Sequence, residues 1–257
     1  MDFEKSFPKN LALGRLIRLP LTLIPKNLVV PVITGNLRGT RWVVGSSTHG
    51  CWLGTYEAFG QLVFVELLKL CEPNCVIFDV GANVGFFSLL TCKSRTDVQV
   101  FAFEPNPINI KYLRKHLKLN AIQNVQIVEI ALSNENGVFG FSATSGRAEG
   151  KLSADGQFQV STITLDSFVE TAQCKLPNLI KVDIEGAELI FLAGAKKSLS
   201  KTHPFILLST HSYKLHCDCH SLLVSYGYEV LELDETTLLA FAPSRSEEVK
   251  NLLAKAI

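Results

Sequence analysis

The stretch Phe78-Asp79-Val80-Gly81-Ala82-Asn83-Val84-Gly85-Phe86-Phe87 constrains this chain more than any other part of it. An almost wholly apolar run, Cys75 to Val80, leads into the glycines, and a helix-spaced run from Val84 to Cys92 leads out. The first has the composition of a strand buried on both faces, and strand, glycine turn and helix together open a parallel α/β unit. The alternation continues. Apolar runs predict strands at Val98–Phe103, Val125–Ile130, Leu179–Ile184 and Phe205–Ser209. Helical spacing predicts helices at Glu57–Leu70, Asn106–Leu119, Ala187–Ser198 and near His220–Tyr226. Glu229–Leu233 and Thr237–Phe241 flank a turn at Asp234 and Glu235 that is too short for a crossover helix, so this pair must be antiparallel. The expected fold is α/β, doubly wound, with about five parallel strands and a C-terminal antiparallel hairpin. Phe139–Ala143 and Phe158–Ile163 are expected as a hairpin inserted near 134–163 of a domain spanning 57–257. Residues 1–56, with short strands at Val29–Ile33 and Arg41–Gly45, are expected as an extension packing on or capping the core.

Composition removes several function classes. The 257 residues carry 25 Lys+Arg and 24 Asp+Glu, a net charge of +1, which argues against affinity built from many phosphate contacts. No apolar run approaches the ~18 residues of a membrane span. The opening Met1-Asp2-Phe3-Glu4-Lys5 lacks the basic start of a secretory signal, so a cytoplasmic protein is expected. Seven cysteines, an odd number in a chain this long, read as scattered thiols rather than a disulfide framework. Leu11–Leu23, carrying Arg15 and Arg18, predicts a short amphipathic helix ending near Leu19, before Pro20. Capping the core is favoured over a weak membrane-surface contact through residues 10–25.

The glycine turn admits three ligands, and its neighbours separate them. A phosphate-binding loop needs Lys-Ser/Thr after the last glycine, where this chain has Phe86 and Phe87. A dinucleotide turn prefers G-x-G-x-x-G, and Asp79, two residues before the first glycine, would repel a pyrophosphate. A carboxylate there suits a cationic ligand. Glu104, 25 positions further on at the end of the next strand, is placed to accept both hydroxyls of a ribose. A ribose-bearing, cationic cofactor without pyrophosphate is S-adenosyl-L-methionine. An NAD-dependent oxidoreductase and a non-catalytic nucleotide-binding module on the same fold are the competing readings.

Several further blocks occur in order: Gly54-Thr55-Tyr56-Glu57, Ala102-Phe103-Glu104-Pro105-Asn106-Pro107, Ala131-Leu132-Ser133, Thr164-Leu165-Asp166-Ser167-Phe168, and Ile180-Lys181-Val182-Asp183-Ile184-Glu185-Gly186-Ala187-Glu188. With the glycine turn, they make the chain resemble the FkbM-family methyltransferases, a class I S-adenosylmethionine-dependent group, over roughly Gly54 to Tyr228. The resemblance implies a Rossmann-like sheet of seven strands. It also implies O-methylation of a hydroxyl on a sugar, glycan or polyketide-type metabolite. It puts Asp79, Gly81, Asn83, Gly85, Phe86 and Asp183 around the cofactor, Glu104 on the ribose, Pro105 and Asn106 beside the adenosine, and Ala131 at the adenine edge. Glu57 reads equally as a ligand of the methionine ammonium and as a helix N-terminal charge.

A hydroxyl is a poor nucleophile, so methyl transfer needs a general base or a metal near the acceptor. Asp183 and Glu185 follow one predicted strand and His211 follows another. Asp183 is the preferred base and His211 the second candidate; Glu188 reads as a first-turn helix residue. Family members commonly carry Glu where this chain has Ser209, so whatever that Glu does is in question here. His211, His216, Cys217, Cys219 and His220 cluster in sequence, but Cys217-x-Cys219 is tighter than structural zinc pairs, and no metal is expected. Selectivity is expected in residues 1–56 and in the 134–163 insertion.

Overall fold

The computed structural model describes Ser6, Leu11 and residues 19–143, 150–152, 158–172 and 174–256. The elements that build the site are β1 (Val29–Pro31), β2 (Arg41–Val43), α1 (His49–Leu53), α2 (Ala58–Leu70), β3 (Val76–Val80), α3 (Phe86–Ser94), β4 (Gln99–Phe103), α4 (Pro107–Leu119) and β5 (Val125–Val128). They are followed by β6 (Ala131–Leu132), β7 (Gly137–Ala143), β8 (Gly150–Leu152), β9 (Phe158–Ile163), α5 (Leu165–Ala172), β10 (Leu179–Val182), α6 (Glu188–Ala193) and α7 (Lys196–Thr202). β11 (Phe205–Ser209), α8 (Tyr213–Ser225), β12 (Glu229–Asp234), β13 (Thr237–Phe241) and α9 (Ser246–Ala256) complete the chain.

Seven strands form the main sheet in the order β12-β13-β11-β10-β3-β4-β5. β5, β4, β3, β10 and β11 are parallel, and β13 runs against both β11 and β12. The expected doubly wound sheet with its closing antiparallel hairpin is therefore present. Side chains along β3 and β4 alternate between two cores. Ile77, Val100 and Ala102 join one apolar cluster, and Val76, Phe78, Val80, Phe101 and Phe103 join the other. Burial on both faces explains why these strands read as unbroken apolar runs.

The chain leaves β3 toward β4 and β5, then returns to β10 on the other side of β3. That reversal opens a crevice at the carboxyl ends of β3 and β10. The register aligns those ends: Asp79 stands opposite Ala102 and Lys181, and Val80 opposite Phe103 and Val182. Glu104 and Asp183 each lie one residue beyond their strand.

The expected hairpin exists as β7 against β9, but β6 and β8 join it in a four-stranded sheet, β6-β9-β7-β8. Residues 144–149 and 153–157 of the insertion lie outside the described residues. So does most of the helix expected over 11–23; residues 19–22 are helical, past Leu19. Of this segment Leu21 and Ile24 pack against the core, while Leu19 and Leu23 are exposed. No helix among the described residues is long and apolar enough to cross a membrane.

One expected helix is two. Gly194 ends α6, at a place only glycine fits, since a Cβ there would lie 2.0 Å from the Ser133 carbonyl oxygen. The Asp166 carboxylate then caps α7 by accepting from the N–H groups of Lys197 and Ser198, at 3.0 and 2.8 Å. α8 begins at Tyr213, well before the expected His220, because the Ser212 hydroxyl accepts from the Leu215 N–H and starts it.

The segment before α2 is tied to the glycine turn through His116 of α4. Its Nε2 accepts from the Val43 N–H at 3.1 Å, its Nδ1 donates to the Val84 carbonyl at 2.8 Å, and its ring stacks on Trp42 at 4.0 Å. Burial lowers its pKa from 6.5 to about 4. A buried neutral histidine contributes stability above its unfolded pKa that is lost as pH falls through the folded value. The stability gap between wild type and His116→Gln, measured by urea denaturation, is therefore expected to shrink by about 3 kcal/mol between pH 7 and pH 4. A gap that stays constant with pH would show that His116 is not held neutral.

Candidate active site

One cavity lies at the crevice, lined by Tyr56, Asp79, Gly81, Ala82, Asn83, Phe86, Glu104, Pro105, Asn109, Ala131, Lys181, Asp183 and Glu185, among others. Asp79 is the penultimate residue of the central strand β3, 3% exposed, and its Oδ2 accepts from the Ser88 hydroxyl of α3 at 2.6 Å. Burial raises its pKa to about 6, against the lowering effect of Ser88 and of Lys181. Glu104 is 4% exposed and held by three donors. Its Oε1 accepts from the Asn106 N–H (2.8 Å) and the Asn109 side-chain amide (3.3 Å), and its Oε2 from the Asn83 N–H (2.7 Å). Burial outweighs those bonds and raises its pKa to about 7.

Gly81 lines the cavity at φ 82°, but the space its missing side chain leaves is filled by the Asp183 carbonyl rather than reserved for a ligand. Gly85 does not line the cavity. It secures a close helix contact instead, since a Cβ there would meet Leu113 of α4 at 2.3 Å. Asn106 also stands back. Its side chain caps α4 by accepting from the Ile108 N–H, and its own N–H holds Glu104. Its part in the site is indirect.

Glu57 is absent from the cavity lining and turns to Lys181, 3.5 Å from its Nζ. Lys181 was not singled out by sequence, although a lone cation in the apolar run Leu179–Val182 demands a counter-charge. It is 1% exposed and donates to the Ser209 hydroxyl at 2.6 Å. Burial opposes its charge, yet Glu57, Asp183 and Asp79 together keep its pKa above the ordinary value. Ser209 thus accepts a hydrogen bond from Lys181 without adding charge, and Glu57 supplies the negative charge. Tyr56 and Asn109 were also missed. Asn109 is buried, and its Oδ1 has no hydrogen-bond partner among the described residues.

His211 does not line the cavity but meets two residues that do. Its Nε2 lies 3.4 Å from Asp183 Oδ1 and 3.3 Å from Glu185 Oε2, and its Nδ1 lies 2.8 Å from Glu188 Oε1. The hydrogen bond to Glu188 and the charges of Asp183, Glu188 and Glu185 outweigh burial and raise its pKa to about 9. Glu188, expected as an ordinary first-turn residue, is fully buried and orients this imidazole. The cysteines of the tentative zinc cluster diverge around α8, with Cys217 exposed and Cys219 buried.

S-adenosyl-L-methionine fits this donor set. Buried carboxylates at two adjacent strand ends and the unpartnered Asn109 Oδ1 offer acceptors to a ligand with ribose hydroxyls and a positive charge.

The family model of the methyltransferase FkbM domain matches residues 79–230. The hexuronic acid methyltransferase AglP of Haloferax volcanii is 34% identical over 154 residues, 59% of this chain and 62% of that protein. The 2-O-methyltransferase NoeI of Sinorhizobium fredii is 28% identical over 158 residues, 53% of this chain and 64% of that one. The chain thus spans less than two thirds of either relative. A solved methyltransferase FkbM from Methylobacillus flagellatus aligns with a TM-score of 0.48 at 20% identity, over 65% of this chain and 43% of that chain.

Proposed function

The chain belongs to the methyltransferase FkbM domain family, and from that premise we propose that it is an S-adenosyl-L-methionine-dependent O-methyltransferase acting on a hydroxyl of a sugar or glycan. The observation that carries this is Glu104, a buried carboxylate with no cation beside it among the described residues, fixed by three N–H donors at the mouth of β4. A group so costly to ionise needs a ligand that donates to it, and a ribose diol does. When bound, the cofactor supplies an activated methyl group on a sulfonium. Asp79 balances its positive charge, Glu104 and Asn109 orient the nucleoside, and Pro105 and Ala131 flank the base. Phe86 and the half-buried Tyr56, edge to face at 5.2 Å, exclude water from that end.

Asp183 is assigned as the group that accepts the hydroxyl proton, with the His211 imidazole facing it across 3.4 Å. The sugar class of acceptor is suggested by the hexuronic acid and 2-O-methyltransferase relatives. We read the segment around α1 as the acceptor-side wall, because Ser47, Thr48 and Cys51 reach the cavity. A nicotinamide cofactor is disfavoured by Asp79, which would face its pyrophosphate.

Calorimetry should find micromolar affinity for S-adenosyl-L-methionine, and labelled methyl transfer should reach uronic acid or neutral glycosides. Asp79→Ala should weaken binding by at least tenfold, or about 1.4 kcal/mol. Absence of binding to the cofactor and to its demethylated product would overturn the assignment.

A further inference from the structure

The geometry points to a divalent-cation site formed by Asp183, Glu185 and His211 at the acceptor side of the cavity. The three offer one donor atom each, and these atoms all lie within 4.8 Å of one another. The distances decide between a hydrogen bond and a ligand set. A charge-assisted bond from an imidazole to a carboxylate closes to about 2.7–2.9 Å, as the Nδ1 contact with Glu188 does at 2.8 Å. Nε2 closes on neither of its carboxylates, standing 3.4 Å from Asp183 and 3.3 Å from Glu185. Donors about 2.1 Å from one ion are separated from each other by roughly 3.0–3.4 Å, in octahedral or tetrahedral arrangement. The two separations from Nε2 match a shared ion, and the donor atoms of the two carboxylates stay within 4.8 Å of each other.

The outer partner supports the same conclusion. A metal-binding histidine donates its other ring nitrogen to a carboxylate, which fixes the ring. Glu188 takes that place from the start of α6, with its Oε1 also accepting from the Gly186 N–H at 3.0 Å. Its Oε2 is buried without a partner among the described residues. Once His211 gives up its proton to an incoming ion, a neutral nitrogen and two carboxylate oxygens suit Mn²⁺, Zn²⁺ or Mg²⁺ and, in an octahedral ion, leave room for two acceptor oxygens. The favoured acceptor is therefore a vicinal diol or a hydroxy-carboxylate, whose hydroxyl such an ion acidifies. That use rests on the methyltransferase assignment above; the existence of the site does not.

The test is Mn²⁺ titration of the full chain by calorimetry and electron paramagnetic resonance, without cofactor. Micromolar binding with nitrogen hyperfine coupling is expected. Glu185→Gln should weaken it at least tenfold, and Glu188→Gln, the positioning residue, by 10- to 100-fold. S-adenosyl-L-methionine affinity, titrated separately without metal, should stay within twofold in both. Glu185 is half-buried at the crevice lip, so Glu185→Gln should fold even if loss of Glu188 disturbs α6. Failure of Mn²⁺, Zn²⁺ and Mg²⁺ to bind below millimolar, or binding indifferent to Glu185→Gln, overturns the site. Loss of cofactor binding with the metal site intact would overturn the methyltransferase assignment instead.

Discussion

A Gly81→Ala protein is expected to be less stable than wild type by about 3 kcal/mol or more, and to bind the cofactor at least tenfold more weakly. Two costs combine. The residue sits at φ 82°, which costs an L side chain about 1–2 kcal/mol. A Cβ there would also lie 1.9 Å from the Asp183 carbonyl oxygen and 2.8 Å from its carbon. Those are backbone atoms just past β10, so relief comes only by parting β10 from β3, where Asp79 and Asp183 line one cavity. Gly186 provides the control. Its φ is 103°, but nothing lies within 4 Å of a Cβ, so Gly186→Ala should show the conformational cost alone. Urea denaturation of both proteins separates the contributions. Equal destabilisation would mean that the approach of β10 to the turn is not what Gly81 secures.

The carboxylates of the site were legible in sequence because a parallel sheet puts ligands at strand ends, and strand ends are marked by local pattern. Asp79 follows one apolar run, Glu104 another, Asp183 a third, and the register brings all three to one crevice. What was not legible depends on partners distant in the chain. Whether Glu57 binds a ligand or a lysine turns on Lys181, 124 positions later, which shares its charge. The break between α6 and α7 needs the Ser133 carbonyl and the Asp166 cap, neither of which affects helical periodicity. Glu188 has a favourable first-turn position, and nothing near it in sequence says that it grips His211 instead. Gly85 was placed around the cofactor, whereas the contact it secures is to Leu113, on a helix 28 residues away. Local pattern encodes where side chains start; long-range contacts decide what they meet.

Cofactor affinity is expected to rise with pH from about 6 to 8, while Glu104 pulls the stability of the cofactor-free protein the other way. Burial lifts the Glu104 pKa from 4.5 to about 7. The free native protein therefore holds a proton that the unfolded chain has already released across that window. Uptake by the native state means that Glu104 lowers folding stability progressively as pH rises from 4.5 to 7, by about 3 kcal/mol in all. A ribose diol donates to the ionised carboxylate, so binding expels the proton, and affinity below the raised pKa should fall by about tenfold per pH unit. Asp79, raised to about 6, adds to the decline at lower pH because a cationic ligand favours its charged form. Calorimetry in buffers of different ionisation enthalpy should register proton release near pH 6.5, absent at pH 8.5. In Glu104→Gln the release near pH 6.5 should largely vanish and affinity at pH 8 should drop at least tenfold. The same variant should gain stability relative to wild type as pH rises. Affinity independent of pH in the wild type would mean that Glu104 stays protonated in the complex and meets the ligand as a donor. If affinity rises while the Glu104 contribution to stability falls, this carboxylate is kept for binding at the expense of the fold.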